Sequence, residues 1–322
     1  MRLMSEALYA QAMSYRNEPL VSIIMNCRNG ESYLHEAIDS IFAQTYSNWE
    51  IVFFDNASTD SSEAVAKSYG KKLHYFCSAQ MMSLGAARNE AIGYARGELI
   101  AFLDTDDRWL PDKLARQVAV FDESPQVGFV YSNYYILQGS TGSTTLGLRR
   151  QQPEGDVFGA FLRHYPVNLQ TVMVRNSALQ NLNDLFDPAL EVSEEYDLFM
   201  RLLYISKARY LKQPTAIYRV HNNMSSIRHI DKYPVENSYI LGKLRDLVPY
   251  LDKRYPEEVA YLEAKIGYWY AVAYMHKGDL RHARISLKPH ISANAVFFVL
   301  YMATYLPPHV WNMLQRLKGI FR

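Results

Sequence analysis

The sequence predicts an α/β fold: a doubly wound, mostly parallel sheet flanked by helices, followed by a helical C-terminal region. Three features carry this expectation. Short apolar runs of strand length alternate with segments of helical period through the first half. Polar clusters beginning at Asn26, Asp55 and Asp104 follow such runs directly. From about Asp231 onward the apolar spacing is helical almost throughout. Interleaved strands and helices bury a parallel sheet between helical layers.

The elements follow in order. Residues 20–25 (Leu-Val-Ser-Ile-Ile-Met) form a buried strand that Asn29-Gly30 breaks. Leu34, Ala37, Ile38, Ile41 and Phe42 then recur at helical spacing. Residues 50–54 are a second strand, ended by Asp55-Asn56-Ala57-Ser58-Thr59-Asp60. A short helix over 61–69, a strand over 73–76 and a helix over 84–96 closed by Gly97 come next. Residues 98–103 make a fourth strand, 110–121 a helix starting around Pro111, and 127–131 another strand. Residues 138–152 are rich in Gly, Ser and Thr and predict a mobile loop, either a lid or plain disorder. A strand over 171–175, a helix over 194–204 and a short strand over 216–220 before His221 complete this half. Ligands of such sheets bind at the carboxyl ends of the strands. The clusters at Asn26, Asp55 and Asp104 are therefore expected along one edge.

Composition narrows the function classes. The 322 residues fit one large domain or one domain with an appendage. Hydrophobic residues make up 49%, enough for a packed core, and a net charge of +1 gives no field for nucleic acid. The two cysteines, Cys27 and Cys77, sit in no metal-ligand spacing and suit a reducing compartment. Residues 1–19 lack the apolar stretch of a signal peptide and read as a short helical lead-in. The longest strongly apolar run, 295–306, is shorter than the roughly 20 residues a membrane span needs. A cytoplasmic protein is expected, with tyrosines (25 of them) available to pack or to meet flat polar ligands such as sugars.

The densest chemistry lies in Phe102-Leu103-Asp104-Thr105-Asp106-Asp107. An apolar run ends there in three carboxylates within four positions. Adjacent carboxylates repel, so such crowding suits a divalent cation with a phosphate-bearing substrate behind it. An acidic turn is the competing explanation, since Asp is a common turn residue. At Asn26-Cys27-Arg28-Asn29, backbone amides and the Arg28 guanidinium can meet a nucleotide, though Arg28 can equally be a surface charge. Neither G-x-G-x-x-G nor a Walker A loop is present, which argues against NAD and against a P-loop triphosphate. Asp55 can accept from a base or ribose, or cap a turn, with Asp60 or Ser58 capping beside it. Gly85-Ala86-Ala87-Arg88 opens a helix with small residues that permit close approach, and Arg88 there reaches a nucleotide or lies on a solvated face. Glu194-Glu195 begins a helix, either complementing its dipole or supplying a general base. His221, with Arg219 and Asn222, can join a metal shell or pair with phosphate.

Together these segments resemble the family 2 glycosyltransferases. The matching stretches are residues 21–29, Ala43-Gln44-Thr45-Tyr46, 50–60, 85–89 and 97–107 with Trp109-Leu110-Pro111, then 194–201 and 218–225. Their order and spacing carry the likeness, over roughly residues 19–226. The resemblance implies a GT-A (Rossmann-like) fold and an inverting transferase using a nucleotide-diphosphate sugar with Mg²⁺ or Mn²⁺. It implies Asp104 and Asp106 as the D-x-D pair, with Asp106 on the metal, Asp104 on the ribose or the metal shell, and His221 at the metal. It places Asn26, Arg28, Asp55 and Arg88 at the nucleotide. The leading Asp of the second-strand motif is kept as Asp55, while Asn56 stands where many members carry another Asp. The base position, usually the second of a Glu-Asp pair, falls on Glu195, with Glu194 as its neighbour.

The expected organisation is a lead-in over 1–18, the transferase domain over 19–226 and a helical region over 227–322 for acceptor, oligomer or membrane-surface contacts. In that last region Val310, Leu314, Leu317 and Phe321 recur at helical spacing near Arg316, Lys318 and Arg322, which allows a basic surface helix on a membrane or plain core and dimer packing. The expected activity is transfer of a sugar, UDP-linked by default, to a glycan or lipid-linked acceptor in surface polysaccharide such as lipopolysaccharide. A silent nucleotide-sugar binder and a sugar nucleotidyltransferase are the alternatives. The second would want a Gly-rich basic loop after the first strand, which residues 26–32 do not supply.

Overall fold

The structure, a computed structural model, describes residues 18–221, 229, 231–293 and 295–306. Nearly all of the expected lead-in, the 222–225 end of the His221 cluster and the basic periodicity from Val310 to Phe321 lie outside the described residues.

Four parallel strands form the first half of a nine-stranded sheet: β1 (Val21–Cys27), β2 (Trp49–Asp55), β3 (Leu73–Cys77) and β4 (Leu99–Phe102), in the order β3-β2-β1-β4. Between them run α1 (Glu31–Phe42), α2 (Ser62–Lys67) and α3 (Leu84–Gly93). Then come β5 (Arg108–Trp109), α4 (Lys113–Glu123), β6 (Val127–Gln138), β7 (Thr144–Leu146), α5 (Phe158–Arg163), β8 (Met173–Arg175), α6 (Asn176–Gln180), α7 (Glu194–Ile205) and β9 (Lys207–Val220). The parallel order expected for the first half holds to β4. Beyond it the sheet is mixed: β8 runs antiparallel to β4 and β6, while β6 and β9 pair in parallel.

Side-chain alternation explains the two layers. Val21, Ile23 and Met25 of β1 face the apolar stripe of α1 (Leu34, Ala37, Ile38, Ile41) and α4 (Leu114, Val118, Phe121). Ile24, Val52, Phe54 and Phe102 point the other way, into a core with Ala87 and Ala91 of α3 and Leu198, Phe199 and Leu202 of α7. That second core also takes in Ile240, Leu241 and Leu244 of α8 (Tyr233–Leu247) and Leu262 and Ile266 of α10 (Pro256–His276), with α9 (Leu251–Arg254) between. The C-terminal half of α10, α11 (Leu280–Leu287) and α12 (Ala295–Ala303) build a smaller cluster of their own.

Three expectations change. Residues 138–152 are not a bare loop: β7 pairs with the far end of β6 as a hairpin, Tyr135 opposite Leu146 and Leu137 opposite Thr144. The strand before His221 begins at Lys207, because its first half has one exposed and one buried face and so lacks an apolar run. The helix closed by Gly97 stops at Gly93. Gly97 sits where a Cβ would lie 2.5 Å from the Ser22 nitrogen, so the backbone passes too close to β1 for a side chain.

Candidate active site

The carboxyl ends of β1, β2 and β4 bring the three expected clusters to one edge. The loops after β1 and β2 brace each other. Asn29 N–H donates to Ser58 Oγ (3.0 Å), Gly30 N–H to Ser62 Oγ (2.9 Å) and Glu31 N–H to Asp60 Oδ2 (3.0 Å). Asn29 and Ala57 both adopt left-handed backbone, with φ of 53° and 57°. Such strain persists only where the surroundings hold it. Of the amides expected to meet a nucleotide, that of Asn29 is thus engaged within the protein. The Asn26 side chain is different: its Oδ1 and Nδ2 are buried and have no hydrogen-bond partner. A buried amide without partners is costly unless a ligand supplies them. Arg28 is exposed at the rim above it. Asp55 is buried, and accepts from Ser58 N–H (2.8 Å) and from the Tyr75 hydroxyl (2.9 Å).

The acidic stretch after β4 separates into three roles. Asp107 is buried and accepts the Arg219 N–H at 2.7 Å, which ties the stretch to the end of β9. Asp106 Oδ2 lies 2.9 Å from His221 Nε2. Burial and then the Asp104 charge raise the Asp106 carboxyl above its ordinary range. Asp104 is gripped from two sides: Gln170 donates Nε2–H to its Oδ2 (2.7 Å) and accepts its N–H (2.8 Å), and Arg88 donates to its Oδ1 (3.1 Å). Among the described residues no three His, Cys, Asp or Glu side chains converge as a ready-made metal cage. The donor set still suits a hard cation: Asp106 is a carboxylate whose own elevation a positive charge would relieve, beside an imidazole and a second carboxylate.

Arg88 is the centre of the arrangement. It was expected at the nucleotide or on a solvated face, yet it is 3% exposed and also donates to Glu194 Oε1 at 2.6 Å. The guanidinium therefore joins the β4 rim to the first turn of α7. The small residues opening α3 approach the chain itself: a Cβ on Gly85 would meet the Asp187 carbonyl at 3.0 Å, and Asn89 exchanges two hydrogen bonds with the Phe186 backbone. Glu195 follows Glu194 on α7. Burial and then the adjacent Glu194 charge push its carboxyl up to about 8, against the lowering pull of Arg88.

Several residues of this site were not foreseen. Gln170 reaches Asp104 from a 3₁₀ turn, Leu169–Thr171, that carries no sequence signal, and its carbonyl accepts the Trp109 indole N–H at 2.9 Å. Glu236 of α8 accepts the N–H groups of Glu191 (2.9 Å), Val192 (3.1 Å) and Ser193 (2.9 Å), fixing the segment that leads into Glu194 and Glu195. A Glu in the first turn of a helix reads as an ordinary complement to its dipole, so only its burial marks it.

This α/β sheet with its flanking helices is the GT-A architecture. Staphylococcus aureus TarS 1–349, solved with UDP-GlcNAc, matches with a TM-score of 0.67 at 18% identity, covering 88% of this chain and 84% of that one. The Pyrobaculum calidifontis mannosyltransferase PcManGT, solved with GDP-Man and Mn²⁺, matches with a TM-score of 0.60 at 18% identity, covering 94% and 85%. Residues 22–176 match the family model Glycosyl transferase family 2. The Escherichia coli protein WfaP, a UDP-Glc:alpha-D-GlcNAc-diphosphoundecaprenol beta-1,3-glucosyltransferase, is 33% identical over 205 residues, 63% of this chain and 78% of WfaP. The chain belongs to glycosyl transferase family 2.

Proposed function

We propose that this site moves a sugar from a nucleotide-diphosphate donor, UDP-linked by preference, to a hydroxyl of a glycan or lipid-linked acceptor in surface-polysaccharide assembly, with inversion. The observation that carries the reading is the Asp104–Arg88–Glu194 chain. It sets the acids of the β4 rim and the raised Glu195 carboxyl in one fixed frame. UDP donors are supported by the likeness to WfaP and TarS, whose names and structures carry UDP-sugars.

In this reading the orphaned Asn26 amide and the Asp55 end of β2 take the nucleoside, and Arg28 approaches it from the rim. Asp106 and His221, with Asp104 near, would hold Mg²⁺ or Mn²⁺, whose charge when bound would offset the charge gathering on the departing diphosphate. Arg88 and Gln170 orient Asp104 rather than touching the donor. Glu195 takes the proton of an acceptor hydroxyl. That oxygen bonds to the anomeric carbon as the bond from carbon to diphosphate oxygen breaks, and the nucleoside diphosphate leaves. A single displacement from the opposite face inverts the centre, so no second carboxylate at the retaining spacing is required.

Residues 19–226 form the transferase unit in this scheme, and the helices beyond buttress it. We also place α12 against a membrane surface: Phe298, Val299 and Met302 are exposed on it, and Arg281, Arg284 and Lys288 precede it with Asp279 as the single acid from 277 to 306. No helix among the described residues is long and apolar enough to cross a membrane.

The test is release of UDP from UDP-sugars with Mn²⁺, in wild type and Asp106→Ala. Turnover that disappears in the variant supports the reading. Undiminished turnover overturns the metal assignment, and no turnover of any nucleotide sugar by the wild type would mark a silent binder.

A further inference from the structure

A cavity of about 240 Å³ opens between the first turn of α7 and the helices α8 and α10. Its wall includes Glu195, the aromatic rings of Tyr165, Tyr196, Tyr233 and Trp269, and the Lys265 side chain. Two features of that wall are unfinished. The hydroxyls of Tyr165 and Tyr196 are buried and have no hydrogen-bond partner, although Tyr196 is only 9% exposed. Buried hydroxyls normally find partners, so these two leave the packing behind the wall polar and unfinished. The second feature is charge. Lys265 is half-buried, and no carboxylate among the described residues forms an ion pair with it. Burial alone lowers its pKa, with no acid pulling the other way. Glu195 does not serve as that partner: its charged neighbours are Glu194, Arg88 and Asp104.

The shape of the wall narrows the occupant. Tyr233 and Trp269 lie nearly parallel, 27° apart with centroids 6.1 Å apart, and Tyr165 meets Tyr196 edge-on at 4.9 Å. Flat aromatic faces suit the C–H face of a sugar ring. A cation with no protein counter-charge suits an oxyanion.

We propose that this cavity is the acceptor subsite and that it takes a sugar carrying an oxyanion, a phosphate or a carboxylate, with Lys265 reading that charge. The inference rests on the transferase reading through Glu195, the wall residue the two share. An acceptor seated here presents its hydroxyl to Glu195 while its anion lies on Lys265.

The experiment is ligand-observed NMR of the full chain with UDP present, titrating N-acetylglucosamine, N-acetylglucosamine 1-phosphate and glucuronic acid. The expected result is at least one anionic probe binding roughly tenfold more tightly than the neutral sugar. Lys265→Met is expected to abolish that margin and Lys265→Arg to keep most of it. Trp269→Ala is expected to weaken neutral and charged probes alike. The phosphate and carboxylate arms decide which anion is preferred. Equal binding of all three sugars by the wild type, a margin that survives in Lys265→Met, or binding of none of them overturns the proposal. Donor turnover, alone and with each of the three sugars, is measured in parallel on the wild type. If UDP is released while the anion margin is missing, only the acceptor subsite fails; if UDP is released neither alone nor with any of the three sugars, the transferase reading fails with it.

Discussion

Glu195 and Glu194 are adjacent acids with opposite circumstances. Glu194 is paired with Arg88, whereas Glu195 sits in the cavity wall with its carboxyl raised to about 8. A base must be ionised to work. Transfer is therefore expected to rise with pH and to level off above about 8. The stability contribution runs the other way. A raised carboxyl favours the folded state at low pH, and that contribution is lost as pH climbs from the ordinary value of 4.5 through about 8. Glu195→Gln should lower kcat by roughly 10²–10⁴-fold with little change in donor KM. Single-turnover kinetics across pH check both points, and a Gln variant that keeps the full rate and the same profile removes Glu195 from the base position. Arg88 makes a different prediction. Both it and Glu194 are almost fully buried, so Arg88→Met leaves a carboxylate without its counter-charge. A loss of about 3–5 kcal/mol is expected from urea unfolding. The double variant with Glu194→Leu should recover part of it, because it removes the stranded charge as well.

At the scale of elements, the site depends on close approaches that hold strand ends in register. Gly97 lies against the backbone of Leu20 and Ser22, and Ser22 Oγ accepts its N–H at 2.8 Å. Gly97→Ala should cost about 1–3 kcal/mol by forcing β4 away from β1, read as a lower denaturation midpoint with an unchanged m-value. Much of this level was legible in the chain. The alternation of β1 and the 3–4 spacing of Leu34, Ala37, Ile38 and Ile41 announce a strand and the helix that covers it. The first half of β9 announced less, since polar residues on its exposed face interrupt the apolar run. The hairpin of β7 was hidden by a Gly-, Ser- and Thr-rich stretch whose strand is fully exposed and pairs only along one edge. Residues such as Gln170 gain their role from a 3₁₀ turn that no periodicity marks.

Across the whole molecule, the C-terminal helix α8 braces the segment that leads into Glu194 and Glu195. Glu236 holds the backbone before Glu194, while Lys243 of the same helix lies 2.7 Å from Asp187 and 2.9 Å from Asp197. Truncation within α8 is thus expected to remove activity and folding together. Loss of the end of the chain should not. Deleting residues 292–322 is expected to abolish flotation with anionic liposomes while UDP release persists, and equal flotation of both forms ends the membrane placement. Chelation makes the last prediction. EDTA should suppress turnover and Mn²⁺ restore it, with the thermal midpoint in the presence of UDP rising on Mn²⁺ addition in wild type but not in Asp106→Ala. The sequence by itself determined the order of the elements, the acids at the ends of β2 and β4 and the family likeness, because these depend on periodicity and on spacing along the chain. The tertiary structure alone decided how each acid is engaged. Asp107 is spent on a backbone N–H of β9, Asp104 is clamped by Gln170, and Arg88 reaches Glu194 across 106 positions of sequence. A carboxylate's role is set by its solvation and by the charges near it in space, and neither is written in the residues beside it.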